Sequence, residues 1–249
     1  LHGAEREEDR GLHHGAVWMS TLQKHTDREY EAELEKLKER LLLMGARTEE
    51  LLSQAMRAFV DRDAAAANAT IGIDRQIDQL ELDIDQLCLR ILARRQPVAS
   101  DLRFITTTMK LVTDLERIGD LGVNICERVV ELSAEPPLPA TQSVTRIAEA
   151  ALAMLHDALD AYVAGNTVQA EEVIERDGQV DAYYAQLFPE LLQLMMKDSG
   201  SVFRATRLQS IAKYLERVAD HATNIAEMVV FLVRGKDVRH AFALSRGEG

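Results

Sequence analysis

Five prolines and two cysteines are spread over 249 residues, and aromatic side chains make up only 5% of the chain. So few prolines leave long stretches free of helix breakers, and the scarcity of aromatic residues argues against sheets, whose strands favour them. Cys88 and Cys126 stand singly among apolar neighbours, with no C-x-x-C and no histidine at zinc-binding spacing, which excludes a disulfide framework and a zinc ribbon. They are expected to be small buried residues in a reducing cytoplasm. Basic residues are also short: 29 Lys and Arg against 41 Asp and Glu give a formal charge of −12. A phosphate backbone is bound by displacing its counterions with bases, so nucleic acid is excluded as a direct partner. The longest apolar run near the C-terminal motif, "MVVFLV" from Met228 to Val233, is far short of the roughly 20 residues that span a bilayer. Attachment to a membrane is therefore expected only through partner proteins.

What remains is rich in Ala, Leu, Glu, Arg and Asp, a composition for long helices. The first eighteen residues are charged and lack the apolar stretch of a secretion signal. With no initiating Met ahead of Met19, they read as an extension, and residues 1–27 are placed outside the core. At "SAEPPLPAT", Ser133 to Thr141, three prolines interrupt helical sequence and mark a linker. Periodicity predicts helices over about Arg28 to Asp61, Ala64 to Arg95 and Ser100 to Leu132 before it. Three more are predicted over Gln142 to Ala164, Thr167 to Lys197 and Ser201 to Val233. Asp63 and Asn166 are expected to cap the second helix of each half, and Ser100 and Ser199 to Ser201 to open the third. Pro189 is expected to bend the fifth helix or shift its start. The expected division is 28–132, 133–141 and 142–240, with 241–249 as a tail.

The two halves are copies. "DLERIGDLGVNICERVVEL" (Asp114 to Leu132) and "YLERVADHATNIAEMVVFL" (Tyr214 to Leu232) agree at ten of nineteen positions, 100 residues apart. "AFVDRDAAAANATIGIDRQID" (Ala58 to Asp78) aligns with "AYVAGNTVQAEEVIERDGQVD" (Ala161 to Asp181) at an offset of 103. The predicted fold is all-α: two tandem antiparallel three-helix bundles of six long helices, lying side by side or end to end.

The repeated apolar residues are explained by a repeated core, but the repeated polar ones are not. Glu116, Asp120, Asn124 and Glu127 fall within an arc of roughly 80° on a helix. Glu216, Asp220, Asn224 and Glu227 fall in the same arc of the second copy, with Arg117 and Arg217 beside them. Asp74 with Asp78, and Asp177 with Asp181, add an acid pair on the preceding helix. Carboxylates four apart project from adjacent turns and can share a hard cation, and oxygen-rich sites of this kind suit Mg²⁺, Mn²⁺, Ca²⁺ or iron. His221 could add a nitrogen ligand next to Asp220. The same acids could equally form a solvated face, partly neutralised by Arg117, Arg128 and Arg217.

"RRQPVASDLRFI", "DLERIGDLGVNICE", "YLERVADHATNIAE" and "VRGKDVRH" together resemble the PhoU family over about Asp27 to His240. That resemblance implies a cytoplasmic negative regulator of phosphate uptake and phosphate homeostasis that is not an enzyme. It implies an adaptor between an ABC phosphate transporter and a membrane sensor histidine kinase. It also implies metal on the acidic faces (iron, manganese, zinc or magnesium) at Glu116, Asp120, Glu216 and Asp220, with Asp74, Asp78, Asp177 and Asp181 alongside. Gly119, Leu121 and Gly122 stand where the second copy has Ala219, His221 and Ala222, so the two sites differ chemically. Of the two, the one with His221 is expected to bind more tightly. A homodimer fits two exposed bundles.

Two other function classes fit the sequence less well. A carboxylate-bridged di-metal enzyme needs Glu-x-x-His pairs directed into a bundle core, and no Glu here is followed by His three residues on. A hydrolase would need a nucleophile motif such as G-x-S-x-G, which is absent. A metal-free helical scaffold or dimerisation module remains as the alternative.

Overall fold

A computed structural model describes residues 28–235. The expectations for residues 1–27 and for the stretch from 236 to the C-terminus lie outside these. The described chain is helical: α1 (Arg28–Asp61), α2 (Ala64–Thr70), α3 (Asp74–Arg94), α4 (Ala99–Ser133), α5 (Thr141–Ala164), α6 (Thr167–Lys197) and α7 (Val202–Arg234). Helices α2 and α3 are one rod interrupted by a single 3₁₀ turn, Ile71–Ile73, whose flanking residues stay in the right-handed helical region. The fold therefore comprises six long rods, three on each side of the proline-rich turn.

Side-chain caps start the second rod of each half. Asp63 accepts from the N–H groups of Ala65 and Ala66, both at 2.9 Å. Asn166 does the same for Val168 and Gln169, at 3.1 and 3.2 Å. The third rods begin differently from expectation. Val98 precedes α4 with no side-chain cap, because Ser100 already lies in the first turn and its hydroxyl faces Asp101 at 3.4 Å. Before α7, Asp198 accepts from Gly200 N–H at 2.9 Å and Ser199–Ser201 form a 3₁₀ turn. α6 runs through Pro189 with its start unmoved. That residue is exposed, so the carbonyl it leaves without a donor is close to solvent.

α3, α4, α7 and α6 lie side by side in that order, while α1 and α5 pack together beneath them. The halves are thus side by side, not end to end. α4 and α7 run antiparallel: Arg103 near the start of α4 donates to the Leu232 carbonyl at 3.4 Å, and Arg207 near the start of α7 pairs with Glu131. The buried face of α4 carries Leu111, Leu115, Ile118, Ile125 and Val129; that of α7 carries Ile211, Leu215, Val218, Ile225 and Val229. Burial of each such side chain contributes about 1.5–3 kcal/mol, enough to hold rods too long to be stable alone.

Gly122 sets how closely α4 approaches α1. A Cβ there would lie 1.9 Å from a methyl of Leu51, which is fully buried. Both cysteines are buried, and burial pushes each thiol up to about 12, so both are unreactive neutral groups.

Candidate functional site

Two acidic grooves lie on the four-helix layer, one between α3 and α4 and the other between α6 and α7. α1 and α5 fill the undersides of these helix pairs, so each groove opens on the far side. Asp78, Asp120, Asp181 and Asp220 are exposed, and Asp74, Glu116, Asp177 and Glu216 are half-buried on the groove flanks. They sit between core and solvent, not fully opposite the apolar face.

In the first groove the carboxylates sense one another. Desolvation, then Asp78 and then Asp120, push Asp74 from 3.8 up to about 6. Gly119 permits this approach: a Cβ there would come within 3.1 Å of the Asp74 carboxylate. Glu116 is also raised, chiefly by burial and then by Asp120 and Glu81, and Arg117 partly offsets this. Glu81, which the sequence reading missed, is raised by burial, Asp85, Asp78 and Asp120. It lies seven residues after Asp74 and three after Asp78, the spacing that keeps all three on one helix face. That spacing was its signal, but Tyr184 stands at the matching place in the second half, so comparing the copies hid it.

The second groove gathers Asp177, Asp181, Glu216 and Asp220. Burial, then Glu216, Asp177 and Asp181, raise Asp220 from 3.8 to about 6, and Lys213 opposes the shift. Lys213 Nζ reaches the two Glu216 oxygens at 2.8 and 2.6 Å and lies 5.5 Å from the Tyr184 ring centre. Its pKa is raised by that hydrogen bond, so it stays an ammonium. The Thr223 hydroxyl donates to Asp177 at 3.2 Å.

The remaining motif residues turn elsewhere. His221 does not join Asp220; one residue along a helix is about 100° around it, and its Nδ1 instead meets Asp114 of α4 at 2.7 Å. Asn224 also donates to Asp114, at 3.2 Å, so these three side chains stitch the seam between the halves. A cleft of about 320 Å³ beside them is lined by Lys110, Thr113, Asp114, Asn224, Glu227 and Met228. Asn124 donates to the Asp120 carbonyl at 2.8 Å, and Glu127 pairs with Arg128 at 3.1 Å. Arg117 and Arg217 are exposed.

The donor set of both grooves is carboxylate oxygen, the ligand type of hard cations. Among the described residues, no three His, Cys, Asp or Glu side chains gather closely enough to hold an ion as they stand. Like charges splay in the absence of a cation, and exposed rotamers reorient within nanoseconds. The donor type therefore fits a hard cation, and a bound ion would have to draw the side chains in.

The family model for the PhoU domain matches this chain twice, at residues 41–129 and 144–229. A "Phosphate-specific transport system accessory protein PhoU homolog" of Pseudomonas putida is 40% identical over 221 residues, covering 88% of this chain and 86% of that protein. The "Phosphate-specific transport system accessory protein PhoU" of Escherichia coli (strain K12) is 34% identical over 219 residues, 88% of this chain and 91% of its own. Among solved structures, PhoU from Pseudomonas aeruginosa aligns with a TM-score of 0.81 at 40% identity, covering 83% of this chain and all (100%) of that one. The phosphate transport system regulatory protein PhoU from Streptococcus pneumoniae aligns at 0.76 with 32% identity, covering 84% and 99%.

Proposed function

The chain belongs to the PhoU family, and we propose that it is a cytoplasmic accessory protein that restrains phosphate uptake when phosphate is plentiful. In this reading it is an adaptor between an ABC phosphate transporter and a membrane sensor histidine kinase, and it catalyses no reaction. Among the described residues no helix is long and apolar enough to cross a membrane, so contact with those partners runs through exposed helix faces.

The observation that carries the proposal is the pair of acidic grooves on one face, flanking the α4–α7 seam. The apolar core does not require them, and they place acidic charge, though unequal, where a partner can reach both halves. In the first groove Asp74, Asp78, Glu81, Glu116 and Asp120 would hold a cation. In the second, Asp177, Asp181, Glu216 and Asp220 would do so. The cation would be iron, manganese, zinc or magnesium, and its chemistry here would be partial neutralisation of an acidic face.

Deleting the gene in the parent organism is expected to switch on phosphate-starvation genes in phosphate-rich medium. Unchanged expression there, in a strain without a second copy, would contradict the regulatory role. A metal-free scaffold is the second reading, and the Lys213–Glu216 pair favours it for the second groove. Elemental analysis of protein purified without chelator separates the two readings. A homodimer belongs to the same proposal. Phe188, Leu192 and Met196 leave an exposed apolar stripe on α6 at i, i+4 and i+8. Light scattering of wild type against Leu192→Glu with Met196→Glu tests whether that stripe joins two copies.

A further inference from the structure

The cleft of about 320 Å³ at the α4–α7 seam uses none of the residues of the acidic grooves. Each of its walls is one helix face with side chains at i, i+3 and i+4: Lys110, Thr113 and Asp114 from α4, and Asn224, Glu227 and Met228 from α7. The repeat does not dictate this opening. At the places related by the offset of 100, Asn124 and Glu127 recur, but Ser210, Lys213, Tyr214 and Arg128 stand for Lys110, Thr113, Asp114 and Met228. There Tyr214 packs against the core, and Arg128 is held by Glu127 and Glu131, both at 3.1 Å. The open cleft instead has an aspartate where that ring would be, and Asp114 is only 9% exposed. A carboxylate this deep is costly unless its oxygens are engaged. His221 and Asn224 both meet Oδ1, at 2.7 and 3.2 Å, so neither bond uses Oδ2, which is left to the cleft.

The charges on the walls select the ligand. Lys110 is exposed, forms no ion pair among the described residues, and repels a simple cation; Asp114 and Glu227 repel a simple anion. A small molecule carrying both charges meets each wall with the opposite sign. Met228 offers it an adaptable apolar surface, and a volume at the low end of ligand cavities limits it to the size of an amino acid. We propose that the seam cleft binds a free aliphatic α-amino acid, with its ammonium on Asp114 Oδ2 and Glu227, its carboxylate on Lys110 and its side chain along Met228. Because the two walls belong to different halves of the chain, the bound molecule bridges α4 and α7. The site stands independently of the regulatory and metal readings given above.

The test is isothermal titration calorimetry on the full-length protein. The probes are L-leucine and L-methionine, with 3-methylbutylamine (leucine without its carboxylate) and 4-methylpentanoate (leucine without its ammonium). At least one of the two amino acids is expected to bind at one per chain, and each single-charge analogue to bind roughly tenfold or more weakly than leucine, the worth of one charged hydrogen bond. Asp114→Asn is expected to weaken amino-acid binding by a similar factor. Since that change also touches the seam, Lys110→Met, at an exposed position, provides the second variant. It should weaken the amino acid roughly tenfold and leave 3-methylbutylamine unweakened, a split that a merely structural role would not produce. Absence of binding by both amino acids would overturn the proposal. So would an amine that binds as tightly as leucine, or amino-acid binding unmoved by Lys110→Met.

Discussion

Single side chains decide the chemistry of the grooves. Asp74 is pushed to about 6 because folding removes water from its carboxyl and brings Asp78 and Asp120 near. An acid whose folded value exceeds its unfolded one holds its proton longer when folded. Stability therefore falls as pH rises from about 4 to 6 and is regained on acidification. Asp74→Asn removes this cost. In chelator at pH 7.5 it is expected to stabilise the protein by about 1 kcal/mol after allowance for solvent screening, a rise of roughly 2–4 °C in Tm. At pH 4 the difference should vanish. Calorimetry at the two pH values checks this, and an Asn variant that melts with wild type at both would contradict it. The paired acids Glu116 and Asp120, Asp74 and Asp78 were legible because helical spacing fixes which side chains share a face. Lys213 was not: its reach to Glu216 depends on a rotamer. Asp114 was not either, since its partners His221 and Asn224 lie on another helix whose placement no local pattern specifies.

At the scale of elements, the ends of the helices are held by specific groups. Arg62 turns the chain from α1 into α2 with φ at 57°, a conformation that disfavours any side chain. Its guanidinium meanwhile donates to the carbonyls of Leu132 at 3.2 Å and Ser133 at 3.1 Å, and also to Glu135, capping the end of α4. Two effects follow, and they can be separated. Arg62→Ala loses the cap and keeps the strain, with an expected cost of about 1–3 kcal/mol. Arg62→Gly loses the cap and relieves the strain, so it should be roughly 1 kcal/mol less destabilising. Equal denaturant midpoints for the two would show that the backbone at 62 is unstrained. Gly122 limits the α1–α4 distance, and Gly122→Leu is expected to cost about 1–3 kcal/mol by forcing Leu51 out of its place. A urea melt unchanged by that substitution would mean the two helices separate freely. The rods themselves were legible from periodicity and from Asp63 and Asn166, whose short side chains have one use before a helix. The 3₁₀ turn at Ile71–Ile73 was not, because Gly72 inside an apolar pattern does not by itself distinguish a kink from a continuous helix.

For the whole molecule, the sequence implied two copies of one unit and left their arrangement open. The arrangement is set by contacts between residues far apart in the chain: Arg103 with Leu232, Glu131 with Arg207, and Asp114 with His221. These place α4 antiparallel to α7 and bring both acidic grooves to one face. The halves are joined by a seam of helices and not only by the proline-rich turn. The proposed regulatory function is assigned to the grooves and not to the core. It is tested most directly in a strain lacking this gene and carrying a phosphate-starvation reporter, complemented with wild type or with Asp78→Asn and Asp120→Asn. Wild type is expected to silence the reporter in phosphate-rich medium, and the double variant, folded with an unreduced Tm, to leave it on. A double variant that silences the reporter as fully as wild type would contradict the claim.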